Sequence, residues 1–303
     1  MLGSPRFMSD LIMNSVDLLF SPLKLEANVF HNGQYCGAWA VDVSGTRKMT
    51  FHVVVKGNCY LKTEDDVTHL NEGDAVFFPN DSKHTVTNLP DQDIALNLAK
   101  SLPMPAVLTE PSTGLVCGNF GHQHPMFEHI VKQLPDMIIV RRTSNSSCAK
   151  VIDLLLEESA NAGDESGVLL NRLSDCLFLL MVRDHLDVES GVFAAMAHPK
   201  LIRAMEILHG PPDTKIGLEQ LAKEALMSRS AFSTLFKSIV GQSPMDYLKQ
   251  WRITLAYRWL ADEGISTYDA ALRCGYESES SFSKAFTSVM GFGPGKARAQ
   301  MKV

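Results

Sequence analysis

The chain has 303 residues, 45% of them apolar and 20% charged, which is typical of a globular protein with more than one domain. No apolar run approaches the roughly eighteen residues that a membrane span requires, and the start lacks a signal-peptide pattern, so we expect a cytoplasmic protein with no membrane partner. Six cysteines without a Cys-x-x-Cys pair argue against a disulfide framework or a zinc ribbon.

The net charge of −6 is unevenly divided along the chain. Residues 198–303 carry 14 Lys and Arg against 10 Asp and Glu, a balance of +4, and residues 1–197 carry 14 against 24, a balance of −10. A basic tail on an acidic body favours a tail that meets phosphate, as nucleic-acid binders do. A chance imbalance of this modest size is the alternative.

After a mixed leader, the first part of the chain consists of short strand-forming runs separated by turn residues such as Gly57, Gly73 and Pro79-Asn80-Asp81. Their spacing of about ten residues predicts a small antiparallel barrel or sandwich. The predicted strands are Tyr35–Val41, Met49–Lys56, Asn58–Thr63, Asp74–Phe78, His84–Asn88, Ile94–Leu98 and Leu115–Phe120.

Two amphipathic helices are predicted next, because apolar residues recur at helical spacing over Cys148–Glu158 and Val168–Leu186. The turn-forming residues Asn161–Gly167 between them indicate an antiparallel hairpin. Packing within the chain is the favoured use of the two apolar stripes. A dimer interface is the alternative.

The C-terminal third contains an internal repeat with a constant offset of 50 residues. Ser228–Pro244 and Ser278–Pro294 are identical at eight positions, which indicates one structural unit present twice. Each copy starts with a Ser suited to cap a helix and has a Gly where the helix would stop. Each is therefore predicted to be one helix, with a buried pair of phenylalanines (Phe232 and Phe236, Phe282 and Phe286).

The outward face of each predicted helix is mainly small, hydroxylic or basic, which suits phosphates and base edges better than a protein core. We expect Arg229 and Lys237 to anchor phosphate, and Glu279, the one acidic member, to accept from a cytosine amine. The candidate DNA-contacting residues are Arg229, Ser230, Ser233, Thr234 and Lys237 in the first helix and Glu279, Ser280, Ser283, Lys284 and Thr287 in the second.

A short helix and a tight turn precede each of these helices, at Leu218–Ala225 and at Thr267–Cys274, which predicts two helix-turn-helix units. A longer aromatic-rich helix, Met245–Ala261, joins them. At 1.5 Å per residue it spans roughly 25 Å. It can therefore hold two reading helices near the 34 Å repeat of the major groove.

The last hundred or so residues resemble the DNA-binding domain of the AraC/XylS family of transcriptional regulators. The resemblance rests on residues 218–236, on Ser243–Leu248 with Trp251-Arg252, and on residues 273–294. Ala270 and Ala297 depart from the family pattern, which usually has Ile and an aromatic residue there. The resemblance implies a reader of double-stranded DNA, with RNA polymerase as a further partner of an activator. We also expect a homodimer, since pairing half-sites adds specificity.

The stretch from Gly73 through Pro79 and His84 to Asn88 resembles the second sequence motif of cupins, with Asp81 where Gly is usual. The first cupin motif is reduced to Phe51–Gly57, whose one histidine is His52. This arrangement is similar to the cupin-type sensor domains fused to AraC-like regulators. Because the enzyme ligand set is incomplete, a sensor is favoured over a cupin metalloenzyme with an accessory helical domain.

Three hypotheses are open for the His and Cys residues and the interior of this domain. The first is a zinc site. Imidazole and thiolate ligands suit Zn²⁺, and oxidation of Cys117 would then make a switch. The zinc-site candidates are His52, His84, Cys117 and His124, with His122 and Cys36 as spare ligands. In the second hypothesis His52 is a hydrogen-bonded core histidine and Cys117 a buried small side chain. In the third, an unknown organic effector fills a barrel interior lined by Phe51, Val53, Val55, Phe77 and Val86.

The sequence thus predicts an α+β multidomain protein. A cupin-like antiparallel β-barrel occupies residues 1–142, a helical hairpin and linker occupy residues 143–195, and an all-α double helix-turn-helix occupies residues 196–303. The predicted function is a sequence-specific DNA-binding transcriptional regulator whose first domain senses a small molecule, a metal or a redox signal.

Overall fold

The structure is a computed structural model, which describes residues 19, 26–46, 48–92, 95–97, 99–121, 131, 134–143, 146–161, 167–185 and 190–299. These residues form two compact units. The sheet unit comprises the described residues of Leu25–His122 and Leu134–His185, and the helical unit comprises those of Met1–Lys24, Gln123–Gln133 and Leu186–Val303. The helical hairpin therefore belongs to the same unit as the strands.

The described strands of the sheet unit form two antiparallel sheets. The six-stranded sheet has the order β10-β6-β3-β9-β1-β8, and the four-stranded sheet has the order β2-β7-β4-β5. The strands are β1 (Glu26–Cys36), β2 (Ala40–Val41), β3 (Met49–Lys56), β4 (Asn58–Lys62), β5 (Val67–Asn71), β6 (Ala75–Phe78), β7 (Thr85–Thr87), β8 (Leu102–Pro103), β9 (Ser112–Gly121) and β10 (Ile138–Val140). Within the predicted run Ile94–Leu98, both end residues lie outside the described residues, and Leu96-Asn97 form a turn.

The interior between the two sheets is apolar. Val54, Val76 and Leu115 from the large sheet pack with Leu61 and Val86 from the small one. Trp39, on the connection between β1 and β2, is fully buried in the same cluster. Because inward residues of both sheets share one core, the unit has the cupin-like antiparallel architecture that the sequence predicted.

The other face of the six-stranded sheet carries an aromatic layer. Phe51 lies 5.9 Å from Phe77 and 5.1 Å from Phe120 between ring centroids, and Phe120 lies 4.7 Å from Phe178 of the helical hairpin. The sequence-based prediction that Phe51 and Phe77 line the barrel interior is therefore wrong. Side chains alternate along a strand, so a strand that points His52 inward turns Phe51 outward.

The same alternation decides the other predicted lining residues. Val53 shares the outward face of β3 with Phe51, and Val55 is half-buried next to a register shift between Val54 and Lys56. Val86 does lie in the interior core. Of the five residues predicted to line the interior, only Val86 does so.

The hairpin helices are α1 (Ser147–Asn161) and α2 (Val168–His185), as the sequence predicted. They are hydrogen-bonded to β1. Backbone N–H groups of Ala27 and Val29 donate to side-chain oxygens of Asp175 (2.7 Å) and Asn171 (2.9 Å). The hairpin thus packs within the chain, which was the favoured interpretation of its apolar stripes.

The helical unit contains the internal repeat. Its helices are α3 (Gly191–Ala197), α4 (Ile202–Leu208), α5 (Leu218–Glu224), α6 (Arg229–Val240), α7 (Pro244–Arg258), α8 (Thr267–Arg273), α9 (Glu279–Met290) and α10 (Pro294–Ala299). A π-helical turn, Trp259–Glu263, continues α7 and ends at Gly264. Among the helices that the structure describes, none has both the length and the apolarity needed to cross a bilayer.

The two copies of the repeat, α6 and α9, are capped alike. The hydroxyl of Ser228 accepts from the N–H of Ala231, and that of Ser278 accepts from the N–H of Ser281. The left-handed residues Gly241 (φ 85°) and Gly291 (φ 75°) end the two helices. The caps and stops predicted from the repeat are therefore confirmed.

We expect Gly118→Ala to destabilise the sheet unit. A Cβ at this position of β9 would overlap Cζ of Phe51 and lie 2.9 Å from the carbonyl oxygen of Asn28. Overpacking of this kind costs about 1–3 kcal/mol of unfolding free energy, which urea denaturation measures. Gly121→Ala on the same strand is the control, because its Cβ would meet nothing closer than 3.9 Å. Equal losses in the two variants would contradict the prediction.

Candidate nucleic-acid interface and buried thiol–imidazole chain

The helices α6 and α9 are held from one side by matched aromatic pairs. Phe232 and Phe236 are fully buried, with ring centroids 5.8 Å apart, and Phe282 and Phe286 are fully buried at 5.7 Å. Both pairs have an interplanar angle of 51°. Because the apolar side of each helix is fixed in the same way, each helix presents the same opposite side to solvent. We call α6 the first reading helix and α9 the second.

The predicted DNA-contacting residues lie on these outward sides. Ser233 and Ser283, at equivalent positions, are half-buried, and the remaining eight candidates are exposed. The exposed candidates are Arg229, Ser230, Thr234, Lys237, Glu279, Ser280, Lys284 and Thr287. Over the first eleven residues of each helix, the burial class repeats position by position.

The repeat also reveals exposed polar positions that the sequence reasoning did not select. Ser238 and Ser288 occupy equivalent exposed positions in the last turn of the two helices, and the offset of 50 residues is the signal that identifies both. Ser281 is exposed as well. Its hydroxyl donates to the carbonyl oxygen of Ser278 at 2.8 Å, and the hydroxyl of Ser238 likewise donates to the carbonyl oxygen of Leu235 at 2.8 Å.

In the sheet unit, three predicted site residues form a continuous buried chain. Cys117 on β9 lies directly opposite His52 on β3, with 3.0 Å between Sγ and Nδ1. Nε2 of His52 lies 2.9 Å from Nε2 of His84, and Nδ1 of His84 lies 2.7 Å from the carbonyl oxygen of Ser82. All three side chains are at most 2% exposed.

The carbonyl group of Ser82, at the end of this series of hydrogen bonds, fixes their direction. A carbonyl oxygen only accepts, so Nδ1 of His84 donates to Ser82, and Nε2 of a neutral His84 accepts from His52. Nδ1 of His52 is then left to accept the thiol proton of Cys117. The Cys117–His52–His84 chain is thus satisfied with all three groups neutral.

Burial favours this neutral state. It holds the pKa of His52 well below its usual value, with smaller contributions from His84 and His31, and it also lowers the pKa of His84. Burial raises the pKa of the Cys117 thiol, with a smaller contribution from Cys59. A buried charge without a partner is costly, so all three groups keep their neutral forms.

Comparison with known proteins gives the family. A family model described as Cupin matches residues 15–187, and one described as Helix-turn-helix domain matches residues 221–300. A putative AraC-like transcription regulator from Streptomyces lividans is 29% identical over 276 residues, covering 86% of this chain and 90% of that protein. The chain is an AraC-type transcriptional regulator with a cupin domain. The sequence-based predictions of the family and of a DNA-binding transcriptional regulator are confirmed.

Other relatives are similar along most of the regulator. The HTH-type transcriptional regulator AlkR of Acinetobacter baylyi is 25% identical over 291 residues, covering 90% of this chain and 95% of that protein. The RCS-specific HTH-type transcriptional activator RclR of Escherichia coli K12 is 25% identical over 260 residues, covering 83% and 84%. These names describe regulators, which is consistent with a protein that is not an enzyme.

Among solved structures, an AraC-type DNA-binding domain protein from Chromobacterium violaceum matches at a TM-score of 0.33. It is 26% identical and covers 35% of this chain and 96% of that one. The DNA-binding domain of AdpA in complex with a target DNA matches at a TM-score of 0.31, with 30% identity, covering 33% and 90%.

The described part of the predicted zinc site does not fit one zinc ion in this arrangement. His52 offers Nδ1 to Cys117 and Nε2 to His84, on opposite sides of its ring, whereas a tetrahedral ion needs all ligand atoms to converge. Within the described residues, no group of three or more His, Cys, Asp or Glu is placed to hold a metal. His124 and His122 lie outside the described residues, so the four-ligand zinc site stays a prediction.

The helical unit has a buried histidine of its own. Nε2 of His209 lies 2.6 Å from the hydroxyl of Tyr247, and its ring meets that of Trp251 edge-on at 4.7 Å. Burial lowers the pKa of His209 to about 4.

We expect the stability of the helical unit to fall as the pH falls from about 6.5 to about 4. The unfolded chain binds a proton at His209 near pH 6.5 and the folded one only near pH 4, so stability is fully present above about 6.5. The loss down to pH 4 should reach about 3 kcal/mol. Acid unfolding followed by circular dichroism measures it, with His209→Gln as the comparison. An unchanged acid dependence in that variant would contradict the assignment.

Proposed function

We propose that the regulator binds duplex DNA with its two reading helices in successive major-groove segments. The observation that carries the proposal is the repeated outward side of α6 and α9, polar and exposed while the opposite side is fixed by buried phenylalanines. Such a regulator acts in the cytoplasm, where its DNA is. As an activator it would also meet RNA polymerase.

The charges of the two reading helices suggest different roles. The first carries Arg229 and Lys237, both exposed, which suit phosphate oxygens. The second carries Glu279 and Lys284, whose charges cancel. A carboxylate near DNA is repelled unless it accepts from a cytosine amine, so Glu279 would select sequence. The remaining base contacts are assigned to Ser230, Ser233, Thr234, Ser280 and Lys284, with Ser283 and Thr287 beside them.

We expect Lys284→Ala to cost about 1–3 kcal/mol of binding free energy and to change preference at one base pair, because Lys284 reads a base. Lys237→Ala is the matched comparison and should weaken binding on every sequence with a shallower salt dependence. Gel-shift titrations against a set of operator variants at several salt concentrations measure both effects. Equal weakening of binding by Lys284→Ala on every operator variant would contradict the prediction and indicate that Lys284 contacts phosphate.

We propose further that the regulator is a homodimer joined through its sheet unit. One double reader covers about two turns of DNA, and regulators gain specificity by pairing half-sites. The hairpin supplies an apolar surface for this purpose, since Leu154, Val168 and Leu169 are 50%, 76% and 51% exposed. Exposed apolar side chains on both helices of the hairpin are suited to an interface between two subunits.

Light scattering at micromolar concentration should therefore give the mass of a dimer, and Leu169→Lys should give that of a monomer. Val107→Lys is the control, because Val107 is 98% exposed in a loop of the same unit. A monomer both with and without DNA would contradict the proposal.

For the sensor role, we propose that the signal acts at Cys117 and that the cupin-like domain has no catalytic role. Both a soft metal ion and an oxidant would displace the thiol proton that Cys117 donates to Nδ1 of His52. A peroxide, for example, would convert the thiol to a sulfenic acid and be reduced to water, which carries away the thiol proton. Either event breaks the hydrogen bond between Cys117 and His52.

Metal analysis of anaerobically purified protein separates the two signals. About one zinc ion per chain would support the site of His52, His84, Cys117 and His124, which requires the first two histidines to leave the hydrogen bond that joins them. No zinc, together with peroxide-dependent regulation that Cys117→Ser abolishes, would support the oxidant. No zinc and a Cys117→Ser variant that regulates normally would contradict the proposal and leave an organic effector.

A further inference from the structure

We propose that the segment Asp213–Lys215, which precedes α5, positions the second helix-turn-helix unit relative to the first. The segment lies against the turn between α8 and α9 and against α7, the helix that joins the two units. It would thereby fix the spacing and rotation between the two reading helices. The inference rests on the proposed mode of DNA binding.

The decisive contact is between two backbones. A Cβ at Gly275, in the turn after α8, would lie 2.8 Å from the carbonyl oxygen of Asp213 and 3.1 Å from its Cα. Real Cβ atoms are not found so close to backbone oxygen, so this approach requires glycine.

The turn of the first helix-turn-helix unit supplies a control for this interpretation. Leu226 holds the corresponding place after α5, with φ +54°, compared with +72° for Gly275. Both turns have the same hydrogen bonds, from Leu226 to Lys223 and Met227 to Ala222, and from Gly275 to Leu272 and Tyr276 to Ala271. Leu226 is 93% exposed, with nothing packed on it comparable to Asp213. The left-handed turn therefore accepts a side chain, and the contact with Asp213 is what excludes one at Gly275.

Two further contacts join the same segment to α7 and to the second unit. Nη2 of Arg252, on α7, donates to the carbonyl oxygen of Thr214 at 2.5 Å. Lys215 lies 3.4 Å from Glu277 in an ion pair whose side chains are both 87% exposed. An exposed pair of this kind contributes little, so the backbone contact and the Arg252 hydrogen bond are the positioning contacts.

The segment is suited to this role because it is stiff. Pro211 and Pro212 precede it and restrict the backbone, and the N–H of Thr214 donates to the carbonyl oxygen of Pro211 at 3.1 Å. A contact away from the axis of α7 restrains rotation of the second unit about that axis. The helix by itself does not restrain this rotation. Fixing two readers before they meet DNA lowers the entropic cost of binding both segments.

The test is the dependence of binding on the spacing between the two DNA segments. The probe is the tightest duplex that the full-length wild-type protein selects from a random pool about three helical turns long. Two derivatives are made, one with a base pair inserted between the two segments and one with the second segment scrambled. One insertion rotates the second segment by about 34° and moves it by about 3.4 Å.

We expect the wild-type protein to lose affinity about tenfold or more on the inserted duplex, which is the cost of one lost base contact. Gly275→Ala and Arg252→Met should bind the original duplex more weakly and lose less than about threefold on insertion. Leu226→Ala is the matched control and should behave as wild type. All variants should bind the scrambled duplex as wild type does, which shows that the first unit is folded.

Variants that fold, by circular dichroism, and keep the wild-type penalty for insertion would overturn the positioning role. If Gly275→Ala does not fold, the same result for Arg252→Met overturns it. Failure of the wild-type protein to select any duplex would instead contradict the proposed function. The two failures are therefore distinguishable.

Discussion

Each reading helix depends on a pair of phenylalanines that are fully buried beneath it. Removing one such ring from a core costs about 3–5 kcal/mol of unfolding free energy, far more than any single exposed residue of the same helix contributes. The rotation of the helix about its own axis is thereby set by packing, and its outward residues can differ between the two copies without disturbing that packing. This is why Thr234 and Lys237 in one copy correspond to Lys284 and Thr287 in the other, while the phenylalanines are unchanged.

The layers of the sheet unit are set by the alternation of side chains along each strand, which repeats every two residues. The pleat of β3 divides its residues between two layers, with Phe51 packed toward the hairpin helices and His52 and Val54 directed between the sheets. One strand therefore supplies both Phe51, which packs on the Phe120 ring that contacts Phe178 of the hairpin, and the imidazole of the buried polar chain. Gly118, which follows Cys117 on β9, is packed against Phe51.

The buried chain is a polar network that is fully satisfied when it is neutral. In this state the Cys117 thiol is protected, because burial keeps it protonated and its proton is held by His52. A signal at this site would have to displace that proton and leave His52 with a different partner.

The sequence by itself determined the elements with strong periodic or repeated signals. The offset of 50 residues identified both reading helices, their caps and their outward residues, because helix geometry converts spacing directly into sides. The hairpin helices and most strands followed from the same logic, whereas the grouping of His52, His84 and Cys117 came only from the resemblance to cupins. The helices and strands are local features, and local geometry is what a sequence pattern encodes.

Only the tertiary structure decided which side of each strand faces the interior. Phe51 and His52 are adjacent in β3, whose residues Met49–Val54 are all buried, and a strand buried on both faces has no alternation that reveals its inward side. The direction of the hydrogen bonds from Cys117 to Ser82 likewise required the carbonyl at the end of the chain. The contact of Asp213 with Gly275 left no local signal at all, because it joins residues 62 positions apart whose only shared property is that their backbones touch.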